Sequence, residues 1–176
     1  MADFLGRASV VGRVVLLLAV VLVALAGASG AWAADVPSAH LDGSRAIAPR
    51  SAPREVKAMI DAGNRIRHKP YVWGGGHSRW RSHGYDCSGS VSYLLHKAGL
   101  LDYPLDSTGF MHWGKRGHSK WVTIYSSHEH AYMVIAGLRW DTSFITDGDH
   151  TGPGWSEAMR DNKGFRIRHP AGSRRW

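Results

Sequence analysis

The order of hydrophobic patterns along this chain limits the folds that it can adopt. Up to about residue 99, apolar residues recur at helical spacing, and from about residue 121 they follow strand patterns. Helices that precede several neighbouring strands are typical of an α+β domain with an antiparallel sheet and helices on one side. The 176 residues suffice for one such domain and not for two.

Two amphipathic helices are predicted. The first starts near Pro53, and its apolar residues recur at i, i+3, i+4 and i+7: Val56, Met59, Ile60 and Gly63. The second begins at Cys87 and stops at Gly99, and its apolar face comprises Val91, Leu94, Leu95 and Ala98. Cys87 therefore lies at the start of a stripe that faces the core.

Strands are predicted over four later segments. Residues 121–127 are β-rich, and residues 131–136 are continuously apolar, as in a central strand that is covered on both faces. Residues 140–145 follow after a turn near Gly137. Apolar and basic residues alternate over residues 165–168, which indicates a half-exposed strand.

Residues 1–33 have the layout of a secretory signal peptide. Arg7 and Arg13 precede an almost purely aliphatic run over residues 14–28, and small residues follow it. The alternative is a retained membrane anchor, but this run is shorter than the roughly 20 residues that span a bilayer. We therefore expect cleavage near Ala33 and export of the mature chain.

The rest of the chain divides into three predicted parts. Residues 34–52 are rich in Ala, Ser, Pro and charged residues without an apolar period, and we interpret them as a flexible tether. Residues 53–172 carry the helix and strand patterns and form the predicted domain. Residues 173–176 form a short basic tail.

The charge of the chain favours an anionic partner. The full sequence has a formal charge of +8, and removal of residues 1–33 leaves 20 Lys and Arg against 13 Asp and Glu, or +7. A basic exported protein would be attracted to an anionic bacterial wall, although simple solubility explains the charge equally well. Nucleic acid is not expected as a partner, because the basic residues are scattered and the protein leaves the cytoplasm.

Cys87 is the only cysteine of the chain. Exported proteins usually use cysteines in disulfide pairs, so Cys87 is a buried apolar residue, an intermolecular link or a reactive thiol. Small and polar residues surround it over 84–90, where a loop becomes a helix. The unpaired N–H groups of a helix start favour a thiolate and can bind an oxyanion, whereas the neighbouring Asp86 opposes ionisation.

His130 is the predicted base among the 11 histidines, because it lies at the rim of a buried sheet. If the following hairpin turns at Ala136 and Gly137 with two loop residues, Asp141 lies diagonally beside His130 on the same face. Asp141 would then orient the second ring nitrogen. His77 and His83 are alternatives in the loop before the cysteine.

A metal site at His128 and His130 is the competing interpretation, since two histidines two apart on a strand share a face. No matching pair elsewhere completes such a site. We therefore expect neither a metal nor another cofactor.

Three motifs occur in a recognisable order. They are Pro-Tyr-Val-Trp-Gly-Gly at 70–75, Tyr-Asp-Cys-Ser-Gly at 85–89, and His130 at the head of an apolar strand with a polar residue eleven positions later. Together they resemble the NlpC/P60 family of cell-wall cysteine peptidases, from about Lys69 to Ser143.

The resemblance implies a papain-like α+β fold for residues 53–172, with the nucleophile at the N-terminus of a helix that packs on an antiparallel sheet. Cys87 would attack, His130 would be the base, and Asp141 would take the orienting position, where the family often has His. Tyr71 matches a tyrosine that assists the oxyanion. Asp86 and Ser88 match positions that help to hold the substrate.

The implied reaction is hydrolysis of a peptide bond in the stem peptides of bacterial peptidoglycan, commonly between D-glutamate and diaminopimelate or lysine. The resemblance predicts a secreted monomer at the cell wall or the periplasmic side. A different chemistry of the same superfamily (amidase or acyltransferase) and a wall-binding protein without activity remain alternatives. The residues around Gly117 and the tail through Trp155 depart from the family pattern.

Overall fold

The computed structural model describes residues 37–143 and 152–172. The predicted signal peptide and the predicted basic tail lie outside the described residues, as do residues 144 and 145 of the third predicted strand. Within the described part, no helix is long and apolar enough to cross a membrane. The elements in chain order are β1 (His40–Asp42), β2 (Arg45–Ile47), α1 (Arg54–Ile66), α2 (Cys87–Lys97), α3 (Ser107–Phe110), β3 (Lys115–Arg116), β4 (Val122–Ser126), β5 (Ala131–Ile135), β6 (Leu138–Asp141), β7 (Gly154–Ser156) and β8 (Arg166–His169).

Six strands form the main sheet in the order β3-β8-β4-β5-β6-β7, and every neighbouring pair is antiparallel. The central strands β4 and β5 are almost entirely buried, which explains their continuously apolar sequences. The predicted α+β class with an antiparallel sheet is confirmed.

The β5–β6 hairpin fixes the register that matters most for the site. Ala136 and Gly137 both have positive φ, 48° and 84°, which is the backbone that a two-residue hairpin turn requires. Ile135 pairs with Leu138 and Met133 pairs with Trp140, so the two-residue loop predicted from the sequence is confirmed.

The two long helices pack on one another and on the sheet. The predicted stripe of α1 is buried, and Gly63 allows the ring of Trp155 to approach, because a Cβ there would lie 2.4 Å from Trp155 Cζ2. Along α2, Ser90 accepts a hydrogen bond from the indole Nε1 of Trp140 on β6 at 3.2 Å. This bond and the surrounding apolar core fix the position of the helix that begins at Cys87.

The segment interpreted as a flexible tether is part of the fold from residue 37 onward, which corrects the sequence-based assignment of residues 34–52. Strands β1 and β2 pair as a hairpin, and Ala39 and Ala46 are buried. The backbone N–H of Ala39 donates to Ala136 O at 2.7 Å. The prediction failed because each strand has only three residues, too few to show an apolar alternation.

Asn64 of α1 anchors this hairpin. Its side chain accepts from the N–H of Ala46 at 2.9 Å and donates to the carbonyl of Ala46 at 2.8 Å, and it also accepts from Trp155 Nε1 at 3.1 Å. Asn64 is buried, so water cannot replace these bonds. One amide group thus joins the N-terminal hairpin, α1 and β7.

We predict that Asn64→Ala destabilises the protein by about 2–4 kcal/mol, because it leaves buried polar groups of Ala46 and Trp155 without partners. Urea denaturation measures the change. Asp61→Ala, at an exposed position of the same helix, is the matched control and should change stability by less than about 0.5 kcal/mol. Equal stability of the two variants would contradict the anchoring role of Asn64.

Candidate active site

Cys87 is the first residue of α2 and is almost buried, with 9% of its surface exposed. Asp86 is the N-cap, and its Oδ1 accepts from the N–H of Gly89 at 2.6 Å. The N–H groups of Cys87 and Ser88 have no hydrogen-bond acceptor among the described residues. These two donors and the positive end of the helix dipole therefore lie at the sulfur.

A glycine-rich loop approaches the start of α2 closely enough to exclude side chains. Asp86 donates its N–H to Gly75 O at 3.2 Å, and a Cβ on Gly89 would lie 2.0 Å from that same oxygen. A Cβ on Gly75 would lie 2.4 Å from Gly84 O. The glycines of the two sequence motifs are thus explained by contact between the loop and the helix that carries Cys87.

His130 directly precedes β5 and connects Cys87 to Asp141. Its Nε2 lies 2.8 Å from Asp141 Oδ1, and the ring is close enough to the thiol of Cys87 for the pKa of His130 to respond to it. Because Nε2 is occupied by Asp141, Nδ1 is the ring nitrogen that remains for the sulfur. The structure brings together the three residues that the sequence placed in one site.

The surroundings of His130 favour its charged form. Burial by itself lowers the pKa of His130, but the hydrogen bonds and negative charges of Asp141 and Cys87 outweigh burial and raise the pKa to about 9. An imidazolium beside a thiol stabilises the thiolate. The arrangement therefore keeps a charged imidazolium beside Cys87 at neutral pH.

Asp141 is fully buried and has several hydrogen-bond donors. Oδ1 accepts from the N–H groups of Thr142 at 2.8 Å and Ser143 at 3.1 Å, and Oδ2 accepts from Arg160 Nη1 at 3.0 Å. Burial by itself would raise the pKa of Asp141, but the bonds and charges of His130 and Arg160 hold the pKa below its ordinary value. The carboxylate is therefore charged and held in one orientation.

Two arginines near Asp141 were not predicted from the sequence. Arg160 is held over the rings of Tyr132 and Phe165, 5.4 and 5.7 Å from their centroids. Arg139 is buried on β6, with Nε 3.7 Å from Asp141 Oδ2. The position of Arg139 two residues before Asp141 was a signal that both face the same side of the strand, whereas nothing in the sequence placed Arg160 there.

Tyr71 lies near the sulfur on the loop side. Burial and then the negative charges of Cys87 and Asp86 raise the pKa of Tyr71 to about 12. Its hydroxyl group therefore keeps its proton throughout the neutral range and can donate it in a hydrogen bond. Tyr71 also forms an isolated bridge with Tyr85, which ties this loop to the residue before the cap of α2.

Asp86 and Ser88 are engaged within the protein. Asp86 Oδ2 accepts from Gly74 N–H at 3.0 Å, and Oδ1 lies 3.0 Å from His77 Nε2 and 3.3 Å from Ser88 Oγ. Ser88 is buried, and its Oγ lies 3.3 Å from His77 Nε2. Both residues therefore shape the loop and the cap, and their predicted contact with substrate stays a prediction.

His77 forms a second histidine–aspartate pair with Asp86, the residue before Cys87. The hydrogen bond of Asp86 raises the pKa of His77, although burial acts in the opposite direction. His83, the other alternative, is exposed. Throughout residues 37–143 and 152–172 there is no group of three or more His, Cys, Asp or Glu side chains that could hold a metal ion.

The same architecture occurs in solved structures of NlpC/P60 proteins. An NlpC/P60 family protein from Bacillus cereus is 18% identical with a TM-score of 0.51, and the match covers 75% of this chain but 44% of that protein. The peptidoglycan hydrolase RipB from Mycobacterium tuberculosis is 20% identical with a TM-score of 0.52, over 72% of this chain and 70% of RipB. NlpC2 from Trichomonas vaginalis is 14% identical with a TM-score of 0.51, over 76% of this chain and 51% of that protein. No family model and no curated protein matches the sequence.

These structural matches agree with the motifs around Tyr71, Cys87 and His130. The chain has the NlpC/P60 fold. The resemblance stated from the sequence is confirmed at this level, including the position of Cys87 at the start of a helix. At identities of 20% or less, these matches show the fold, and the chemistry of this chain follows from its own side chains.

The raised pKa of His130 predicts a pH-dependent contribution to stability. Below pH 6.5, the ordinary pKa of histidine, His130 is protonated in both the folded and the unfolded chain, and its interactions as a cation stabilise the fold in full. This stabilisation is lost as the pH rises through about 9, the pKa of His130 in the folded chain. The free energy of unfolding of the wild type should therefore fall between pH 6.5 and 9.5 more than that of His130→Gln. Urea denaturation across this range measures the difference, and parallel profiles would contradict the prediction.

Arg160 is predicted to limit the pKa of His130, because its cation shares the carboxylate of Asp141 with the imidazolium. Arg160→Met should raise the pKa of His130 above its wild-type value, and the conservative Arg160→Lys should shift it less. NMR titration of the His130 ring measures both. An unchanged titration in Arg160→Met would show that Arg160 has no electrostatic effect on the pair.

Proposed function

We propose that this protein is an exported cysteine peptidase that hydrolyses peptide bonds in the stem peptides of bacterial peptidoglycan. The observation that carries the proposal is the chain of contacts from Cys87 through His130 to the buried carboxylate of Asp141. A nucleophile, a base and a group that orients the base are the parts that acyl transfer through a thioester needs.

Cys87 is the proposed nucleophile and His130 the proposed base. The imidazolium supports the thiolate before substrate binds, and the same proton is then available for the leaving amine. Asp141 fixes the ring by accepting the hydrogen bond from Nε2, which leaves Nδ1 as the ring nitrogen available to the sulfur. Two backbone N–H groups and Arg160 hold Asp141 in turn, which keeps the ring in one orientation.

The oxyanion of the tetrahedral intermediate is assigned to donors that already lie at the sulfur. The N–H groups of Cys87 and Ser88 are the first-turn donors that the cap residue does not use. The protonated hydroxyl of Tyr71 is close enough for its pKa to respond to the charge of Cys87. Donors that are fixed before the reaction starts stabilise the developing charge without further reorganisation.

The reaction proceeds in two steps. The thiolate of Cys87 attacks the carbonyl carbon, the C–N bond breaks, and His130 transfers its proton to the departing amine. Water then attacks the resulting thioester, His130 accepts a proton from the water, and the C–S bond breaks. The carboxylate product leaves, and the proton on His130 restores the starting pair.

Peptidoglycan is the proposed substrate class on two grounds. The motifs around Tyr71 and Cys87 resemble those of cell-wall cysteine peptidases, and RipB, which has the same fold, is a peptidoglycan hydrolase. The formal charge of +7 after signal-peptide removal suits an anionic wall. Within this class we propose the bond between D-glutamate and diaminopimelate or lysine, and action as a secreted monomer.

Digestion of a defined muropeptide panel, followed by mass spectrometry, tests the proposal. Cys87→Ala and His130→Ala should each lower the hydrolysis rate by about four to six orders of magnitude, because each removes one member of a unit that acts together. His128→Ala is the matched control, since this exposed residue is two positions from His130 and its side chain has no role in the site. Full activity of Cys87→Ala would disprove the mechanism, and products with a transferred acyl group would indicate an acyltransferase instead.

A further inference from the structure

A cavity of about 300 Å³ lies between the C-terminal ends of α1 and α2 and the loop that precedes α2. Four cationic residues from separate positions in the chain line it, and no carboxylate of a described residue does. The cations are Arg65, Lys69, Arg81 and Lys97. Ile66, Tyr85 and Tyr93 supply apolar and aromatic surface. The cavity thus combines concentrated positive charge with walls on which carbon atoms can pack.

The four charges are not neutralised within the protein. No carboxylate in the described part of the chain forms an ion pair with them, and Asp61, one helical turn before Arg65, does not line the cavity. The negative ends of the helix dipoles favour Arg65 and Lys97, which lie in the last turns of α1 and α2. Lys69 and Arg81 lie outside the helices, so the dipoles do not explain them. A bound anion would relieve the repulsion among these cations.

Contacts within the protein fix the loop that carries Arg81. The indole of Trp80 stacks on the imidazole of His96, with centroids 3.9 Å apart and ring planes within 4° of parallel. Because Arg81 and Lys97 are the next residues in the chain, this stack brings their backbone positions together. The hydroxyl of Tyr85 donates to Trp80 O at 2.7 Å and closes the loop. A loop that is already fixed lowers the cost of ordering when a ligand binds.

Two of the cations lie against the aromatic wall. The rings of Tyr85 and Tyr93 are 5.4 Å apart between centroids, and Lys97 Nζ is 5.5 Å from the centroid of Tyr93. Burial raises the pKa of Tyr85, and the charge of Arg81 is close enough to act in the opposite direction. A single ligand can therefore contact a cation and an aromatic ring at the same time.

We propose that this cavity binds a phosphate monoester of a sugar or polyol, a site that goes beyond the proposed function. Such a phosphate carries a charge of about −1.5 to −2 at neutral pH and three acceptor oxygens, whereas a carboxylate has one charge and two oxygens. The two arginines bind phosphate oxygens through planar guanidinium groups, and the two lysines act as point charges. The carbon atoms next to the ester pack on Tyr85 and Tyr93. A volume at the lower end of the range for ligand sites suits so small a ligand.

Calorimetry with the full chain tests the inference with three probes: glucose 6-phosphate, glucuronate and inorganic phosphate. Glucuronate has a carboxylate in place of the phosphate and should bind about tenfold or more weakly than glucose 6-phosphate, because one charge and one acceptor oxygen are lost. Inorganic phosphate lacks the sugar and should bind about fourfold or more weakly, because no carbon atoms pack on the wall. If glucose 6-phosphate binds no more tightly than either of the others, the inference is wrong.

A second measurement distinguishes two sources of the ester. The full chain is sedimented with purified bacterial cell walls, with and without glucose 6-phosphate as a competitor. Release by the competitor supports an ester that belongs to the wall. Binding to walls that the competitor leaves unchanged supports a soluble sugar phosphate.

Arg81→Gln combined with Lys97→Gln should weaken the binding of glucose 6-phosphate by about tenfold or more. The matched control is Arg79→Gln combined with Lys120→Gln. Arg79 is exposed in the same loop, Lys120 Nζ lies 5.3 Å from the centroid of Trp121 in a geometry like that of Lys97, and neither residue lines the cavity. The control should bind like the wild type, and urea denaturation checks that both variants are folded. An unchanged affinity in the first variant, or an equal loss in both, would overturn the inference.

Discussion

The hydrogen bond between His130 Nε2 and Asp141 Oδ1 is the interaction on which the site depends. It exists because the β5–β6 hairpin has a two-residue loop, which puts Asp141 diagonally beside His130. One residue more or fewer in that loop would turn Asp141 to the other face of the sheet and leave His130 without its acceptor. The positive φ angles of Ala136 and Gly137 are therefore a requirement of the His130–Asp141 contact as well as of the hairpin.

This hairpin also shows why part of the site was predictable from the sequence. The apolar run before Gly137 fixes a buried strand, and counting across a short turn then gives the partner of His130. The position of Cys87 was predictable for a similar reason, because its helix begins with small polar residues and continues with an apolar stripe. Both predictions use local patterns with a fixed period.

The elements that were missed depend on contacts between distant parts of the chain. The β1–β2 hairpin is held by Asn64, and a buried asparagine cannot be distinguished in sequence from an exposed one. Arg160 reaches Asp141 from a segment with no regular pattern, and its position over Tyr132 and Phe165 follows from the pairing of β8 with β4. Such residues become visible only when the strand order is known.

The charges around Cys87 give each of the two histidine–aspartate pairs in the described residues a separate role. Asp86 is needed as the cap of α2, but its negative charge disfavours a thiolate on the next residue. His77 compensates for this charge, because its pKa is raised by the same carboxylate and it lies 3.0 Å from Asp86 Oδ1. The His77–Asp86 pair thus allows a well-capped helix to present Cys87, while the His130–Asp141 pair can accept the proton that the sulfur gives up. Both pairs join a histidine Nε2 to an aspartate Oδ1, at 3.0 Å for His77 and 2.8 Å for His130, and Cys87 contributes to the raised pKa of His130.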